Sequence, residues 1–153
     1  MNILSLCDGL SYGQIALERA GINVNKYYAS EIDKYAITVT QANYPNTVQL
    51  GDLTKWREWD IEWGSIDLLM GRGFSLTNEQ LAFDNPRSKL FFVYVDILNH
   101  IKKHNPNVKF MLENAKMEKE FLDVISEHLG IDPESISNAL VSTHPRKYKL
   151  KLD

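Results

Sequence analysis

Residues 2–21, NILSLCDGLSYGQIALERAG, contain a short apolar run, a glycine-containing turn and a helical pattern in direct succession. The run ends at Cys7, the turn contains Asp8, Gly9 and Gly13, and apolar residues then recur at helical spacing. Glycine permits a tight turn in which a ligand can approach main-chain N–H groups at the start of a helix. The segment lacks the G-x-G-x-x-G fingerprint of dinucleotide-binding folds, so a strand–turn–helix without a ligand is an alternative interpretation.

The same alternation of short apolar runs and helical patterns continues along the chain and predicts an α/β fold with a mostly parallel sheet. The predicted strands are residues 2–7, 26–30, 47–50, 66–70 and 109–112. The predicted helices are residues 13–20, 34–43, 88–104 and 117–129. Residues 138–143 and 148–152 flank a His-Pro-Arg-Lys turn and predict a closing antiparallel hairpin, for a total of about seven strands. In such sheets ligands bind beyond the carboxyl ends of the strands, near the switch in strand order.

Length and composition predict a single domain spanning residues 1–153. Its hydrophobic content of 44% and charged content of 24% are typical of globular proteins, and the length suffices to bury a core. The single cysteine, Cys7, excludes an internal disulfide; we find no signal peptide or membrane span, and we expect a cytoplasmic protein. The net charge of −3 disfavours a domain that grips DNA by itself, because phosphate neutralisation requires a basic surface.

Acidic side chains follow several of the predicted strands. Glu31 follows the second strand, where nucleotide-type cofactors have their ribose hydroxyls bound, and Asp33 is placed to cap the next helix. Asp52 follows the third strand and is suited to accept a hydrogen bond from an exocyclic amine; the alternative is that Asp52 or Thr54 caps a helical turn. Glu113 closes the fifth strand, where it either caps the helix that begins at residue 117 or, given a base-like substrate, serves a functional site. Together with the turn after the first strand, these residues predict a cofactor site at the carboxyl edge of the sheet.

Two other groups of residues leave alternatives open. Trp56, Trp59 and Trp63 predict packing, an exposed apolar patch or an interface. The four histidines show no metal-ligand spacing with the single cysteine, and we therefore predict no metal site. His100 and His104, one helical turn apart, fit the polar face of a helix.

Eight short motifs, in their order and spacing, resemble the DNA cytosine-5 methyltransferases, and phage and bacterial members most closely. They are DGLSYGQIALERAG, ASEIDKYA, GDLTKW, DLLMG, GFS, RSKLFFVYVDIL, MLENAKM and SNALVSTHPRK. The resemblance spans almost the whole chain. It implies the S-adenosylmethionine-dependent methyltransferase fold, a Rossmann-like sheet with a reversed strand at its end.

The resemblance also implies S-adenosylmethionine as the cofactor and S-adenosylhomocysteine as its product. The residues implied for the methionine end are Asp8, Gly9, Leu10 and Gly13. Glu31 would bind the ribose hydroxyls with Ile32 against the adenine, and Asp52 would accept from the adenine amine with Leu53 beside it. Gly71 and Leu90 would line the remaining wall.

The chemistry of the family, as the resemblance implies it, is covalent. A cysteine thiolate attacks C6 of a flipped-out cytosine, a glutamate holds and protonates N3, and C5 then takes the methyl group. Glu113 matches that glutamate, and Arg146 matches the first arginine of a Gln-x-Arg-x-Arg motif. The cysteine belongs to a Gly-Gly-x-Pro-Cys-Gln-x-Phe-Ser loop, but residues 71–75 here read GRGFS, four residues shorter and without Pro, Cys or Gln. The resemblance therefore implies that the nucleophile is missing.

Three interpretations fit these observations. The first is a catalytically inactive domain that binds the cofactor, binds DNA weakly at most and acts through a protein partner, such as an active methyltransferase subunit. The second is a split subunit of an active enzyme, with the target-recognition region, which residues 1–153 lack, on another chain. The third is a decayed or engineered fragment in which GRGFS is a deletion scar.

Overall fold

The computed structural model of the protein describes residues 1–72, 86–115, 119–137 and 147–152. The strands are β1 (Asn2–Leu6), β2 (Lys26–Ser30), β3 (Val48–Gln49), β4 (Leu68–Arg72), β5 (Lys109–Ala115), β6 (Glu134–Ser137) and β7 (Lys147–Leu152). The helices are α1 (Tyr12–Arg19), α2 (Lys34–Asn43), α3 (Pro86–His104) and α4 (Lys119–Leu129). Two 3₁₀ helices, Leu53–Glu58 and Trp63–Ser65, lie between β3 and β4.

The strands form one sheet in the order β3-β2-β1-β4-β5-β7-β6. The first five are parallel, and β7 is antiparallel to both β5 and β6. The chain leaves β1 for β2 on one side and returns to β4 on the other, so the strand order switches between β1 and β4. A crevice at the carboxyl ends of these two strands is the expected ligand position in such a sheet. The predicted α/β fold, mostly parallel with an antiparallel end, is confirmed.

Several strand boundaries differ from the predicted ones for local reasons. β1 ends one residue early because Cys7 has a φ of 54°, in the left-handed region. β4 begins two residues late because the second 3₁₀ helix precedes it, and it continues to Arg72, which is in register with Glu113. β5 extends to Ala115 because residues 111–115 pair with β7.

Within the described residues, the sheet ends in an antiparallel pair formed by β6 and β7. β7 pairs with β6, in a register that places Glu134 opposite Leu150 and Ser137 opposite Lys147. The predicted strand 138–143 lies outside the described residues. β6, with the sequence ESIS, was not among the predicted strands.

The central strands are covered on both faces, which explains their nearly continuous apolar sequence. Leu4 and Leu6 of β1 lie on the face covered by α3, where they join a cluster that includes Tyr94. Ile3 lies on the other face with Leu17 of α1. Burial of both faces fixes β1 in the centre of the sheet and holds the turn that follows it.

The tryptophan cluster serves packing, one of the three alternatives. Trp56 is buried, and Trp59 and Trp63 are partly buried against the α3 side of the core. The Trp56 and Trp63 rings meet edge to face with centroids 5.7 Å apart, and the His100 ring lies 4.8 Å from that of Trp63. The 3₁₀ helices are thereby attached to α3.

The position of His100 predicts a pH-dependent stability. Burial lowers its pKa below the ordinary value, and the neighbouring His104 lowers it further. The unfolded chain therefore binds a proton more readily than the fold does, so stability falls as pH drops below about 6.5. We expect the urea midpoint to decrease less between pH 7.5 and 5.5 in His100→Phe, which keeps a ring against Trp56 and Trp63, than in the unchanged protein. An equal decrease in both proteins would contradict the assignment.

Candidate functional site

The turn between β1 and α1 is held by a buried polar network. Asp8 is 6% exposed; its Oδ1 accepts a hydrogen bond from the Tyr27 hydroxyl at 2.7 Å, and its Oδ2 accepts one from the Ser11 hydroxyl. The Gln14 amide donates to the Ser11 hydroxyl at 3.0 Å and to the Thr47 hydroxyl at 2.8 Å. Burial and the charge of Asp8 raise the pKa of Tyr27, so this phenol remains a donor. The Asp8 carboxylate thus fixes the shape of the turn.

Gly9 and Gly13 are each required in this turn, for different structural reasons. Gly9 has a φ of +61°, and a Cβ there would lie 3.3 Å from Nη2 of Arg72. A Cβ on Gly13 would lie 2.5 Å from Cε of Met70 and 2.9 Å from the Tyr27 hydroxyl. Gly9 permits the left-handed turn, whereas Gly13 permits α1 to pack closely on the sheet.

Glu31 connects the turn after β1 to the turn after β2. Its Oε2 accepts from the N–H of Gly9 at 2.8 Å, and its Oε1 accepts from the N–H groups of Ile32 and Asp33 at 2.8 and 2.9 Å. Asp33 caps α2 through the N–H of Tyr35, as predicted. Ile32, beside Glu31, is an apolar side chain that is 74% exposed.

Asp52 caps the 3₁₀ helix that follows β3, so the capping alternative is realised in the structure. Its Oδ1 accepts from the N–H and the hydroxyl of Thr54, both at 2.8 Å, and the first of these bonds is the main cause of its lowered pKa. Within the described part of the chain, Oδ2 of this exposed, ionised carboxylate accepts no hydrogen bond. Leu53 is buried in the main core, whereas Ile32 is exposed.

A cavity of about 210 Å³ lies at the carboxyl ends of β1, β4 and β5. Six of its lining residues have polar side chains: Ser5, Cys7, Asp8, Tyr12, Arg72 and Glu113. Four of the site residues implied by the resemblance line this cavity: Asp8, Gly13, Gly71 and Glu113. Leu90 packs against the α3 core instead, Leu10 is 40% exposed, and Arg146 lies outside the described residues.

Cys7, the only cysteine of the chain, is poorly suited to act as a nucleophile. Burial and, to a smaller extent, the charge of Glu31 raise its pKa to about 11 against the opposing charge of Arg72. At neutral pH the thiol is therefore protonated, whereas the thiolate is the reactive form. Cys7 also belongs to the end of β1 and not to the loop after β4.

Two residues of the cavity escaped the sequence interpretation as site residues. The guanidinium carbon of Arg72 lies 5.7 Å from the centroid of the Tyr12 ring, a cation–π distance. The signal in the sequence was a basic residue at the end of a strand whose neighbours end in acidic residues.

A larger cavity, about 550 Å³, lies between the loops that precede β2 and β3. It is at the amino ends of the parallel strands, and neither Glu31 nor Glu113 lines it. We therefore place the candidate site at the smaller cavity, where the strand-end residues meet.

The described residues contain neither a cluster of three His, Cys, Asp or Glu side chains that could hold a metal ion nor a helix long and apolar enough to cross a membrane.

The sheet order and the glycine turn at its switch point define the S-adenosylmethionine-dependent methyltransferase fold. The structure is similar to the S. pombe Dnmt2 methyltransferase, with a TM-score of 0.67 and 17% identity over 99% of this chain and 48% of that chain. A Spodoptera frugiperda DNMT2 mutant gives a TM-score of 0.64 and 19% identity over 97% of this chain and 49% of that one.

A family model described as C-5 cytosine-specific DNA methylase matches residues 1–127, and the chain belongs to that family. The chain is 39% identical over 97 residues to Type II methyltransferase M1.ScrFI of Lactococcus lactis subsp. cremoris, covering 61% of this chain and 23% of that protein. It is 32% identical over 122 residues to orphan methyltransferase M.Rho11sI of Bacillus phage rho11s, covering 76% of this chain and 23% of that protein. The matched region thus spans about a quarter of these relatives. The cofactor of the family is S-adenosylmethionine, with S-adenosylhomocysteine as product.

Proposed function

We propose that residues 1–153 form a single DNA cytosine-5 methyltransferase-like domain that binds S-adenosylmethionine, does not methylate cytosine alone and acts through a protein partner. The observation that carries this proposal is the set of hydrogen-bonded turns after β1, β2 and β3, beside a segment, residues 71–75, that contains no cysteine. The one cysteine is at β1, with a pKa of about 11. The net charge of −3 supports weak DNA binding at most.

The residues present fit the cofactor. Glu31 still has lone pairs for ribose hydroxyls, because a carboxylate offers about four acceptor positions and three backbone N–H groups use only three. The exposed Ile32 offers an apolar surface to an adenine ring, and Oδ2 of Asp52 can accept from the exocyclic amine. When bound, S-adenosylmethionine supplies an activated methyl group.

The remaining residues have supporting roles in this proposal. Asp8 positions the turn through Tyr27 and Ser11, so that the N–H groups at the start of α1 are held in place. Glu113, at the end of β5, is retained at the position that holds cytosine in the family, and Arg146 is retained in the next motif. Neither can form a covalent bond to C6 of cytosine.

A fragment or split subunit of an active DNA cytosine-5 methyltransferase is the second candidate. The observation that favours it is the coverage, since the chain spans 23% of the relatives that it matches. In that case another chain must supply the nucleophile, and activity must appear when that chain is added.

Cofactor binding tests the proposal directly. Titration of the protein with S-adenosylhomocysteine in a calorimeter should give saturable binding below about 1 mM. S-inosylhomocysteine, in which a carbonyl replaces the exocyclic amine, should bind about tenfold more weakly because it sets an acceptor against Asp52. Absence of binding at millimolar S-adenosylhomocysteine, or equal affinity for the two compounds, would contradict the cofactor site as described.

A further inference from the structure

Arg72 is a charged residue of the cavity that the proposed function leaves without a task. It is exposed at the end of β4, with one guanidinium nitrogen close to the backbone of Gly9 and the guanidinium carbon over the Tyr12 ring. Within the described residues, Arg57 forms an ion pair with Asp96 at 3.6 Å, whereas Arg72 has no carboxylate partner. Its side chain is thus held by a turn and a ring, with its donors available.

Glu113 provides the opposite charge in the same cavity. It is the parallel-strand partner of Arg72 and is half-buried, and both residues line the 210 Å³ space. That volume is large enough for the amino-acid end of a ligand. A small cavity with a cation and an anion in its wall suits a zwitterion.

We propose that Arg72 binds the carboxylate of the amino-acid end of the cofactor and that Glu113 faces its ammonium group. The inference rests on the proposed cofactor binding and deepens it. A guanidinium matches a carboxylate in a two-point, charge-assisted geometry, and the Tyr12 ring limits the freedom that Arg72 loses on binding. A DNA phosphate is the disfavoured occupant, because Glu113 would repel it.

This assignment gives the shortened loop a consequence for specificity. The glutamate that the resemblance assigns to cytosine would instead serve the cofactor. The site would then select nucleoside thioethers that carry an amino-acid group over those that lack it.

The test compares S-adenosylhomocysteine with 5′-methylthioadenosine, which has the same nucleoside and sulfur but no amino-acid group. Both compounds and, separately, a duplex oligonucleotide are titrated into the unchanged protein, Arg72→Gln, Arg72→Lys and Lys109→Gln. Lys109 is exposed at the amino end of β5, so its substitution removes the same charge from the opposite edge of the sheet. Thermal unfolding of each variant establishes that it is folded.

We expect Arg72→Gln to weaken S-adenosylhomocysteine binding about tenfold or more and to leave 5′-methylthioadenosine unchanged. Arg72→Lys should give an intermediate loss, and Lys109→Gln none. Equal losses for both compounds, or no loss for either, would overturn the role of Arg72 while leaving cofactor binding in place. Failure of the unchanged protein to bind either compound would refute the proposed function itself. A loss confined to binding of a duplex oligonucleotide would identify the anion as phosphate and overturn the inference.

Discussion

Incubated with duplex DNA and S-adenosylmethionine carrying a tritiated methyl group, the purified chain should transfer no label above background. With DNA that contains 5-fluorocytosine, it should form no covalent adduct. We expect a complete loss of methyl transfer, because the missing cysteine forms the bond to C6 of cytosine on which the reaction depends.

The physical reason is the chemistry of cytosine. C5 is too electron-poor to attack a methyl sulfonium unless a nucleophile first adds to C6. Glu113 can stabilise charge at N3, but general acid–base help contributes about two to four orders of magnitude and cannot replace a covalent step. Cys7 is the only thiol, and its raised pKa of about 11 keeps it protonated.

An active relative of the family serves as the positive control in the same assay. Insertion of a Gly-Ser-Pro-Cys-Gln segment between Arg72 and Gly73, which keeps Arg72, separates two histories of the chain. Recovered methyl transfer would indicate a deletion from a working enzyme, and continued inactivity would favour a domain committed to a partner. Label transfer or an adduct with the unmodified chain would refute the inactive assignment.

The fold was predictable where the sequence signal is local. The apolar run of β1, the glycine turn and the helical spacing of α1 are contiguous, and the structure places them within one or two residues of the prediction. The same holds for Asp33, because a capping residue acts on an N–H only two residues away. The family resemblance added the methyltransferase fold and a reversed strand at the end of the sheet.

Long-range contacts account for most of what the sequence did not show. Asp8 accepts a hydrogen bond from Tyr27, which is nineteen positions away in the sequence. No local pattern indicates that this carboxylate is buried and hydrogen-bonded. The contact between Arg72 and Tyr12 likewise depends on β4 lying beside β1. The 3₁₀ helices were missed because tertiary packing of their tryptophans stabilises them, and short helices of this type have little intrinsic preference to form.

Glu31→Ala should abolish most cofactor binding, with a loss of affinity of about 100-fold. The variant removes the acceptor of the ribose hydroxyls. It also removes the carboxylate that accepts from the N–H groups of Gly9, Ile32 and Asp33, so two turns of the site lose their connection. Because the carboxylate is only half-buried, the free energy of unfolding should fall by a smaller amount, about 1–3 kcal/mol.

Calorimetric titration with S-adenosylhomocysteine measures the affinity, and Glu58→Ala, which removes an exposed carboxylate of the first 3₁₀ helix, is the matched control. Glu31→Gln keeps one carbonyl acceptor and should lose less affinity than the alanine variant.

Cys7 provides a second readout that a general loss of stability would not produce. The charge of Glu31 contributes to the raised pKa of this thiol, so Glu31→Ala should lower that pKa and shift the pH profile of its alkylation by iodoacetamide to lower pH. An unfolded variant would show a profile centred near the ordinary thiol pKa of about 8.5, whereas a folded one should show a smaller shift, because burial still raises the pKa of Cys7. Unchanged affinity in Glu31→Ala together with a shifted profile would mean that the carboxylate is where the structure places it but does not bind the ribose.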